Sequence, residues 1–234
     1  MVAVVAGMAW EWVSLCGQDP RGGIGWTLDM LLFGAVLCAF VGAVPQGLLL
    51  LALGAVLLWM LPGSRPHRRS LAAGVLYLGF AAIALPWMRA DPAVGWANTV
   101  FLFAVVWASD IGAYLAGRAI GGAKLAPSIS PGKTRSGAIG GLVCAALAGL
   151  AVAACVSKDF APTRVMTVAA MLGVVAQAGD LLESALKRHF GVKDSGRIIP
   201  GHGGLLDRLD AVLTAAPAAA LLAYIVGRGV VLWR

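Results

Sequence analysis

Apolar segments of bilayer-spanning length recur along this chain of 234 residues and restrict its fold more than any other feature. A helix needs roughly 20 predominantly apolar residues to cross the hydrocarbon core, where each backbone polar group must find its partner inside the protein. Residues 1–16 are apolar but short for a span, and they predict a partial first helix. We therefore predict an all-α, polytopic membrane bundle of about seven or eight transmembrane helices. The spans are expected at 27–43, 46–62, 70–88, 95–116, 137–156, 164–185 and 211–231.

Composition supports a membrane location and excludes several other classes of protein. Hydrophobic residues make up 60% of the chain and charged residues 12%, about half the charge of a typical soluble domain. The four cysteines show no CxxC spacing and there are three histidines, so neither a disulfide framework nor a zinc site is indicated. Basic loops attracted to anionic lipid headgroups explain the net charge of +7. No basic face with interleaved aromatic residues is present, and we predict no nucleic-acid partner.

The distribution of positive charge predicts which loops face the cytosol. Lys and Arg in short loops are retained on the cytosolic side of a membrane. Most of the 18 Lys and Arg residues fall in one alternating set of loops. The two longest loops of that set, 116–136 and 187–207, are therefore expected on the cytosolic side.

Three carboxylates lie within or beside the predicted spans, although a charge at the centre of a span costs about 2.5–3.5 kcal/mol on insertion scales. Asp180 and Glu183 share one helical face with Ser184 and Lys187. This pattern is equally compatible with a helix end that surfaces into water and with a functional face. Asp110 shares a face with Tyr114 and Arg118, and here an interfacial ion pair is the competing interpretation.

Residues 187–210 interleave cations, glycines and acids. Glycine lets backbone N–H groups approach a phosphate closely, Lys and Arg neutralise its charge, and carboxylates bind a hard divalent cation. Asp207 and Asp210 would share a face if the last helix begins near Leu206, and Asp180 could reach the same place from the preceding helix. The inventory suits phosphoryl or nucleotidyl transfer with Mg²⁺, which usually takes one or two carboxylates plus substrate phosphates.

The loop 118–136 contains a Gly132-Lys133-Thr134 triplet that invites comparison with a P-loop. A P-loop requires glycine where this chain has Pro127, and no strand is predicted before the triplet. We reject a P-loop and keep a basic, hydroxyl-rich phosphate contact as the weaker hypothesis, beside the simpler interpretation of a retained cytosolic loop.

Residues 184–210 resemble the C-terminal signature of the CDP-diacylglycerol synthases, also called phosphatidate cytidylyltransferases. That signature reads Ser-x-hydrophobic-Lys-Arg, four residues, Lys-Asp, a spacer, then His-Gly-Gly-hydrophobic-x-Asp-Arg-hydrophobic-Asp, and this chain matches it throughout. The segments 179–184 and 109–118 are also similar to the family. The loop 130–137 departs from it, because Gly132, Arg135 and Ser136 stand where many members have Lys, Trp and Glu, so no role is carried over to those three positions.

The resemblance implies that CTP and phosphatidate give CDP-diacylglycerol and pyrophosphate, in a Mg²⁺-dependent reaction with room for a second cation. The implied setting is a multi-pass protein of the bacterial inner membrane with its active site facing the cytosol, and a homodimer is one compatible assembly. We expect a single membrane domain over 1–234, with N-terminal hydrophobic helices in 1–95 and the catalytic helices with two cytosolic loops in 96–234.

The site residues implied by the resemblance, together with the local chemistry, fall into three groups. The expected metal ligands are Asp180, Glu183, Asp207 and Asp210. The expected catalytic residues are Asp180, Lys193, Asp194, His202 and Asp207. The expected substrate-binding residues are Ser130, Lys133, Thr134, Ser184, Lys187, Arg188, Gly203, Gly204 and Arg208.

Two competing functions make different demands on the sequence. A secondary transporter would place carboxylates at the bilayer midplane and show repeated halves, whereas here the acids are expected at helix ends and no repeat is visible. A CDP-alcohol phosphotransferase would use a related substrate, but the Asp-Gly…Ala-Arg…Gly…Asp…Asp pattern of that family is absent.

Overall fold

The structure is a computed structural model that describes residues 1–61, 65–199, 201 and 203–234, with the backbone alone for 65–67. Helices dominate the described chain, and the prediction of an all-α membrane fold is confirmed. In chain order the helices are α1 (Val2–Leu15), α2 (Gly23–Phe40), α3 (Val44–Met60), α4 (Arg65–Arg89), α5 (Gly95–Ile120), α6 (Arg135–Val156), α7 (Pro162–His189) and α8 (Leu206–Val226).

Six of the described helices are long and apolar enough to cross a bilayer, and the chain is a multi-pass membrane protein. Each of the seven predicted spans coincides with a helix, but α3 has 17 residues and falls with α1 among the shorter apolar helices. Helix ends differ more from the predictions. Helices α5 and α7 run on to Ile120 and His189, and α8 ends at Val226. Hydropathy identifies the lipid-facing part of a helix, whereas backbone hydrogen bonding continues into its polar ends.

A short β hairpin stands in the loop where no strand was expected, which corrects that prediction. Strand β1 (Lys124–Ala126) pairs antiparallel with β2 (Ser130–Thr134). Strands of three and five residues are too short to give a hydrophobic alternation, so the sequence offered little signal for them. An antiparallel hairpin is not the parallel strand–loop–helix unit of a P-loop, so the rejection of that fold is unchanged.

The described chain divides into two compact units, each built from non-contiguous segments. The first unit comprises Met1–Trp87 and Lys187–Leu209, and the second comprises Met88–Leu186 and Asp210–Arg234. The prediction of a single domain divided near residue 95 stays a prediction. In the first unit, the indole of Trp12 donates to the Ser70 carbonyl at 2.9 Å, which joins α1 to α4. Burial raises the pKa of the Cys16 thiol at the end of α1 to about 12, so this thiol stays neutral.

Small residues bring α5 and α6 of the second unit into close contact. A Cβ added to Gly140 would lie 2.3 Å from the Cβ of Ala116, and one added to Gly137 would lie 2.7 Å from the Ala113 carbonyl oxygen. Close approach of this kind lets membrane helices gain van der Waals contact without a hydrophobic driving force between them. The packing fixes the position of the polar residues carried by α5.

The segment after α8 folds back onto the start of α5 in the second unit. The Leu232 N–H donates to Oδ1 of buried Asn98 at 3.0 Å. Trp233, which is 1% exposed, stacks on Phe101 with ring centroids 4.6 Å apart. Residues 227–231, which were predicted as the end of the 211–231 span, instead follow α8 and belong to a C-terminal segment that anchors α5.

Candidate active site

A cavity of about 500 Å³ in the second unit is lined by residues of α5, the hairpin, α6, α7 and α8. Its apolar lining comes mainly from small residues such as Ala113, Ala138 and Ala176. The cavity therefore combines a smooth apolar wall with a set of charged and hydrogen-bonding groups. The polar lining residues are Ser109, Asp110, Tyr114, Arg118, Lys133, Thr134, Gln177 and Asp180.

An ion pair joins the hairpin to α7 at this cavity. Nζ of Lys133 lies 2.5 Å from Oδ2 of Asp180, and the two side chains are 27% and 25% exposed. Partial burial reduces solvent screening of the attraction between the two charges, and it also removes part of their hydration. The sequence predicted a substrate role for Lys133 and a metal role for Asp180, and the structure brings these two residues together.

Helix α5 contributes an acid, a phenol and a guanidinium to the same cavity. Asp110, Tyr114 and Arg118 follow one another at four-residue intervals, and Nη1 of Arg118 donates to the Tyr114 hydroxyl at 2.9 Å. The sequence left open whether Asp110 and the 118–136 loop belong with Asp180. In the structure they line one cavity with it.

Gln177 is a polar residue of the cavity that sequence reasoning missed. Its Nε2 donates to the Ser109 hydroxyl at 3.1 Å and to the Ala138 carbonyl at 3.1 Å, so it links α7 to α5 and α6. The available signal was an amide inside an apolar run, three residues before Asp180 and so on the same helical face. Gln177 holds in place the helix that carries the acid.

Four carboxylates of the second unit influence one another electrostatically. The charge on Asp210 interacts with those of Asp180, Glu183 and Asp110, and Glu183 is 3% exposed. Lys133 places one positive charge beside this group through its ion pair with Asp180. Among the side chains that the structure describes, no three His, Cys, Asp or Glu residues form a preassembled metal site. The hard oxygen donors fit Mg²⁺, which commonly takes one or two carboxylates and fills its shell with water and phosphate oxygens.

Asp207 organises the loop of the first unit that carries most of the predicted signature. Its Oδ1 accepts from Nζ of Lys187 at 2.6 Å. Its Oδ2 accepts from the N–H of Ser195 at 2.9 Å, from the Ser195 hydroxyl at 3.0 Å and from the N–H of Gly204 at 2.8 Å. Gly203 beside it has φ +83°, a conformation that favours glycine. Lys187 and Gly204, predicted to contact phosphate, are engaged here within the loop.

The remaining charged residues of the signature lie at the surface of the first unit. Arg188 is exposed, and its Nη1 donates to the Val192 carbonyl at 3.2 Å. Lys193, Asp194 and Arg208 are also exposed. Their predicted roles in catalysis and phosphate binding stay predictions.

Several predicted substrate-binding residues have visible structural roles. Thr134 caps α6, because its Oγ1 accepts from the Gly137 N–H at 3.0 Å. Ser130 opens β2, and Ser184 is half-buried in α7. His202 lies outside the described residues. Capping accounts for a hydroxyl residue at 134, and contact of Thr134 with substrate stays a prediction.

Together, the fold and these sites define a class: a multi-pass membrane protein that carries a cavity lined by acidic and basic residues and a glycine-containing loop ordered by a carboxylate. Comparison with protein families then identifies the group within this class. The model of the cytidylyltransferase family matches residues 1–226, and the chain belongs to that family.

Curated relatives named phosphatidate cytidylyltransferase are similar to much of the chain. The protein of Brucella suis biovar 1 is 53% identical over 156 residues, which cover 67% of this chain and 56% of the relative. The protein of Staphylococcus saprophyticus is 43% identical over 148 residues, which cover 63% and 56%. The protein of Staphylococcus aureus strain COL is 47% identical over 123 residues, which cover 53% and 47%. The chain thus spans about half the length of the curated relatives it matches.

Proposed function

We propose that this chain transfers the cytidylyl group of CTP to phosphatidate, giving CDP-diacylglycerol and pyrophosphate at the cytosolic face of a bacterial inner membrane. One observation carries the proposal: a single cavity holds two cations, Arg118 and Lys133, beside two carboxylates, Asp110 and Asp180. Cations bind polyphosphate and carboxylates bind its metal counterion. The family membership and the names of the relatives supply the substrate class.

In the proposed reaction a phosphatidate oxygen attacks the α-phosphorus of CTP. A bond forms between that oxygen and the phosphorus, and the bond from the phosphorus to the bridging oxygen breaks, so that pyrophosphate leaves with the electron pair. The attacking oxygen is already ionised near pH 7, so no general base is needed. Two anions must meet, and fixed positive charge lowers this barrier and stabilises the leaving group.

The cavity residues divide this work. Lys133 attracts a phosphate oxygen, while Arg118, oriented by its hydrogen bond to Tyr114, adds a second cation at the cavity. Gln177 keeps α5, α6 and α7 in register around the reacting groups. Positioning of this sort supplies much of the catalysis in phosphoryl-type transfer, where little covalent chemistry falls to the protein.

A divalent cation fits the proposal, and its proposed ligands in the second unit are Asp180, Glu183 and Asp210. The metal role predicted for Asp207 from the sequence stays a prediction. Mg²⁺, when bound, supplies neutralisation of phosphate charge and stabilisation of charge developing on pyrophosphate. In this structure both oxygens of Asp207 already accept hydrogen bonds, Oδ1 from Lys187 and Oδ2 from Ser195 and Gly204. Retained turnover in excess chelator would exclude the metal.

The lipid substrate is proposed to reach the cavity sideways from the bilayer. Helix α5, which lines the cavity, also exposes large apolar side chains at Trp107, Ile111 and Leu115, each about three-fifths exposed. Exposed apolar side chains suit contact with acyl chains. A phosphatidate molecule whose phosphate is bound at Arg118 would therefore keep its acyl chains in the lipid.

The decisive experiment measures CTP-dependent formation of CDP-diacylglycerol by the purified protein in phosphatidate-containing micelles with Mg²⁺. The test variant is Lys133→Met and the matched control is Lys124→Met, an exposed lysine of the partner strand outside the cavity. We expect Lys133→Met to lower kcat/KM for CTP at least about tenfold, the effect of losing one charge-assisted contact, and Lys124→Met to match wild type. Wild-type protein that forms no product would exclude the proposed function.

A further inference from the structure

A carboxylate of the N-terminal helix lies inside the loop of the first unit that carries Asp207. Glu11 of α1 is 1% exposed. Its Oε1 accepts from the Leu205 N–H at 2.8 Å, and its Oε2 accepts from the Leu206 N–H at 2.9 Å and from the Ser195 hydroxyl at 3.1 Å. Burial of a carboxylate is costly unless it is well hydrogen-bonded, and three donors meet that need here.

Two of these donors make Glu11 a cap for α8, although 195 residues separate it from Leu206. Leu206 is the first residue of α8, and the first N–H groups of a helix have no partner within it. A negative charge at that end also interacts favourably with the helix dipole. Glu11 therefore fixes where α8 begins, one residue before Asp207.

The loop packs directly against this carboxylate. A Cβ added to Gly196 would lie 2.6 Å from Oε1 of Glu11, and one added to Gly204 would lie 2.7 Å from Oε2. One turn earlier in α1, a Cβ on Gly7 would lie 2.9 Å from the Leu205 side chain. The glycines of the loop therefore let its backbone pack closely against Glu11 and the adjacent face of α1.

Ser195 connects Glu11 to Asp207. Its hydroxyl oxygen lies 3.1 Å from Oε2 of Glu11 and 3.0 Å from Oδ2 of Asp207. A hydroxyl has one proton to donate, so the two carboxylates share it. A change at Glu11 thus alters both the position of Asp207 and its hydrogen bonding.

We propose that Glu11 is a positioning residue for the reaction: through Ser195, Leu205 and Leu206 it holds the described part of the 194–206 loop so that Asp207 is presented in one orientation. The expected effect of Glu11 on turnover rests on the proposed function. Its effect on the loop can be measured without any substrate. Glu11 itself is not placed against the reacting atoms.

The test compares wild type, Glu11→Gln, Ser195→Ala and the double variant. Glutamine keeps the shape but replaces one acceptor oxygen by a donor, so one loop N–H loses its partner. Asp91→Asn is the matched control, because Asp91 also accepts backbone N–H groups but does so before α5, at Ala93, Val94 and Gly229. The measurements are hydrogen exchange of the 194–206 amides and steady-state kinetics of CDP-diacylglycerol formation.

We expect Glu11→Gln to speed exchange of the 204–206 amides at least about tenfold and to lower kcat about ten- to hundredfold, the range for losing one charge-assisted hydrogen bond. In Glu11→Gln, KM for CTP should change less than kcat, and amide exchange in the 124–134 hairpin should stay as in wild type. The control Asp91→Asn should alter neither kcat nor amide exchange in the loop. The effects of Glu11→Gln and Ser195→Ala on kcat should be less than additive in the double variant because they share one contact.

If Glu11→Gln shows faster loop exchange but wild-type kcat, Glu11 only stabilises the loop and the proposal is overturned. Unchanged loop exchange in this variant would also overturn it. If Glu11→Gln does not fold, Ser195→Ala alone decides, since an unchanged kcat there breaks the link to Asp207. A wild-type protein without turnover would exclude the proposed function, and the exchange data would still show whether Glu11 fixes the loop.

Discussion

Gly204→Ala places one methyl group where the loop of the first unit has no room. The added Cβ would lie 2.1 Å from the Ser195 hydroxyl oxygen and 2.7 Å from Oε2 of Glu11. Overpacking at a buried position costs about 1–3 kcal/mol, and displacement of the Gly204 N–H from Asp207 removes a charge-assisted hydrogen bond of about 1.5–3 kcal/mol. The reduced entropy of the unfolded chain returns only about 0.4–1 kcal/mol, so the net effect is destabilising by roughly 2–5 kcal/mol.

A loss of that size lowers the thermal midpoint of a chain of this length by roughly 4–20 °C. Thermal unfolding in detergent, followed by circular dichroism, measures this shift, and turnover should fall with it because Asp207 moves. The control is Gly23→Ala, since a Cβ there meets nothing within 4 Å and Gly23 starts α2. That control should leave the midpoint unchanged or raise it slightly. A Gly204→Ala variant with wild-type midpoint and turnover would refute the packing argument.

Two further predictions concern the segments that anchor the start of α5. The pKa of Asp91 is lowered, chiefly by the hydrogen bond from the Gly229 N–H, so its stabilising contribution is present above the unfolded pKa of about 3.9 and is lost as pH falls through the folded value. Asp91→Asn should therefore unfold at a lower temperature than wild type at pH 7, and the two proteins should converge as pH falls through the lowered pKa of Asp91. A constant difference across pH would contradict this assignment. Trp233→Ala removes the stack on Phe101 and should destabilise by about 3–5 kcal/mol, whereas Trp233→Phe should retain most of the stability; equal midpoints for wild type and Trp233→Ala would show that the stack contributes nothing.

The sequence predicted the parts of this protein that depend on local pattern. Apolar runs located every long helix, because burial in lipid leaves a signal in each window of about 20 residues. The signature segment pointed to Asp207 and Gly204, and close packing leaves no room for a Cβ at Gly204. Helix ends were predicted poorly, because α7 continues through Lys187 into residues whose charge suggested a loop.

Features that depend on distant partners could not be predicted in this way. The pairing of Lys133 with Asp180 joins a hairpin to a helix, and nothing in either local pattern specifies the other. The local sequence around Glu11 gave no sign of its partners, since they lie 184 to 195 residues further along the chain. Tertiary packing decides such contacts, and a single sequence does not record them.

The distance between Glu11 and its partners also sets an order of events during synthesis. At about 5–20 residues per second, translation reaches Ser195 roughly 10–40 s after Glu11. Throughout that interval the nascent chain carries an acidic side chain whose hydrogen-bond donors do not yet exist. Until Ser195, Leu205 and Leu206 have been synthesised, Glu11 lacks the three donors that it has in the folded protein. Helix α1 thus completes these hydrogen bonds only after the segment before α8 has been synthesised, which makes this contact a late step in folding.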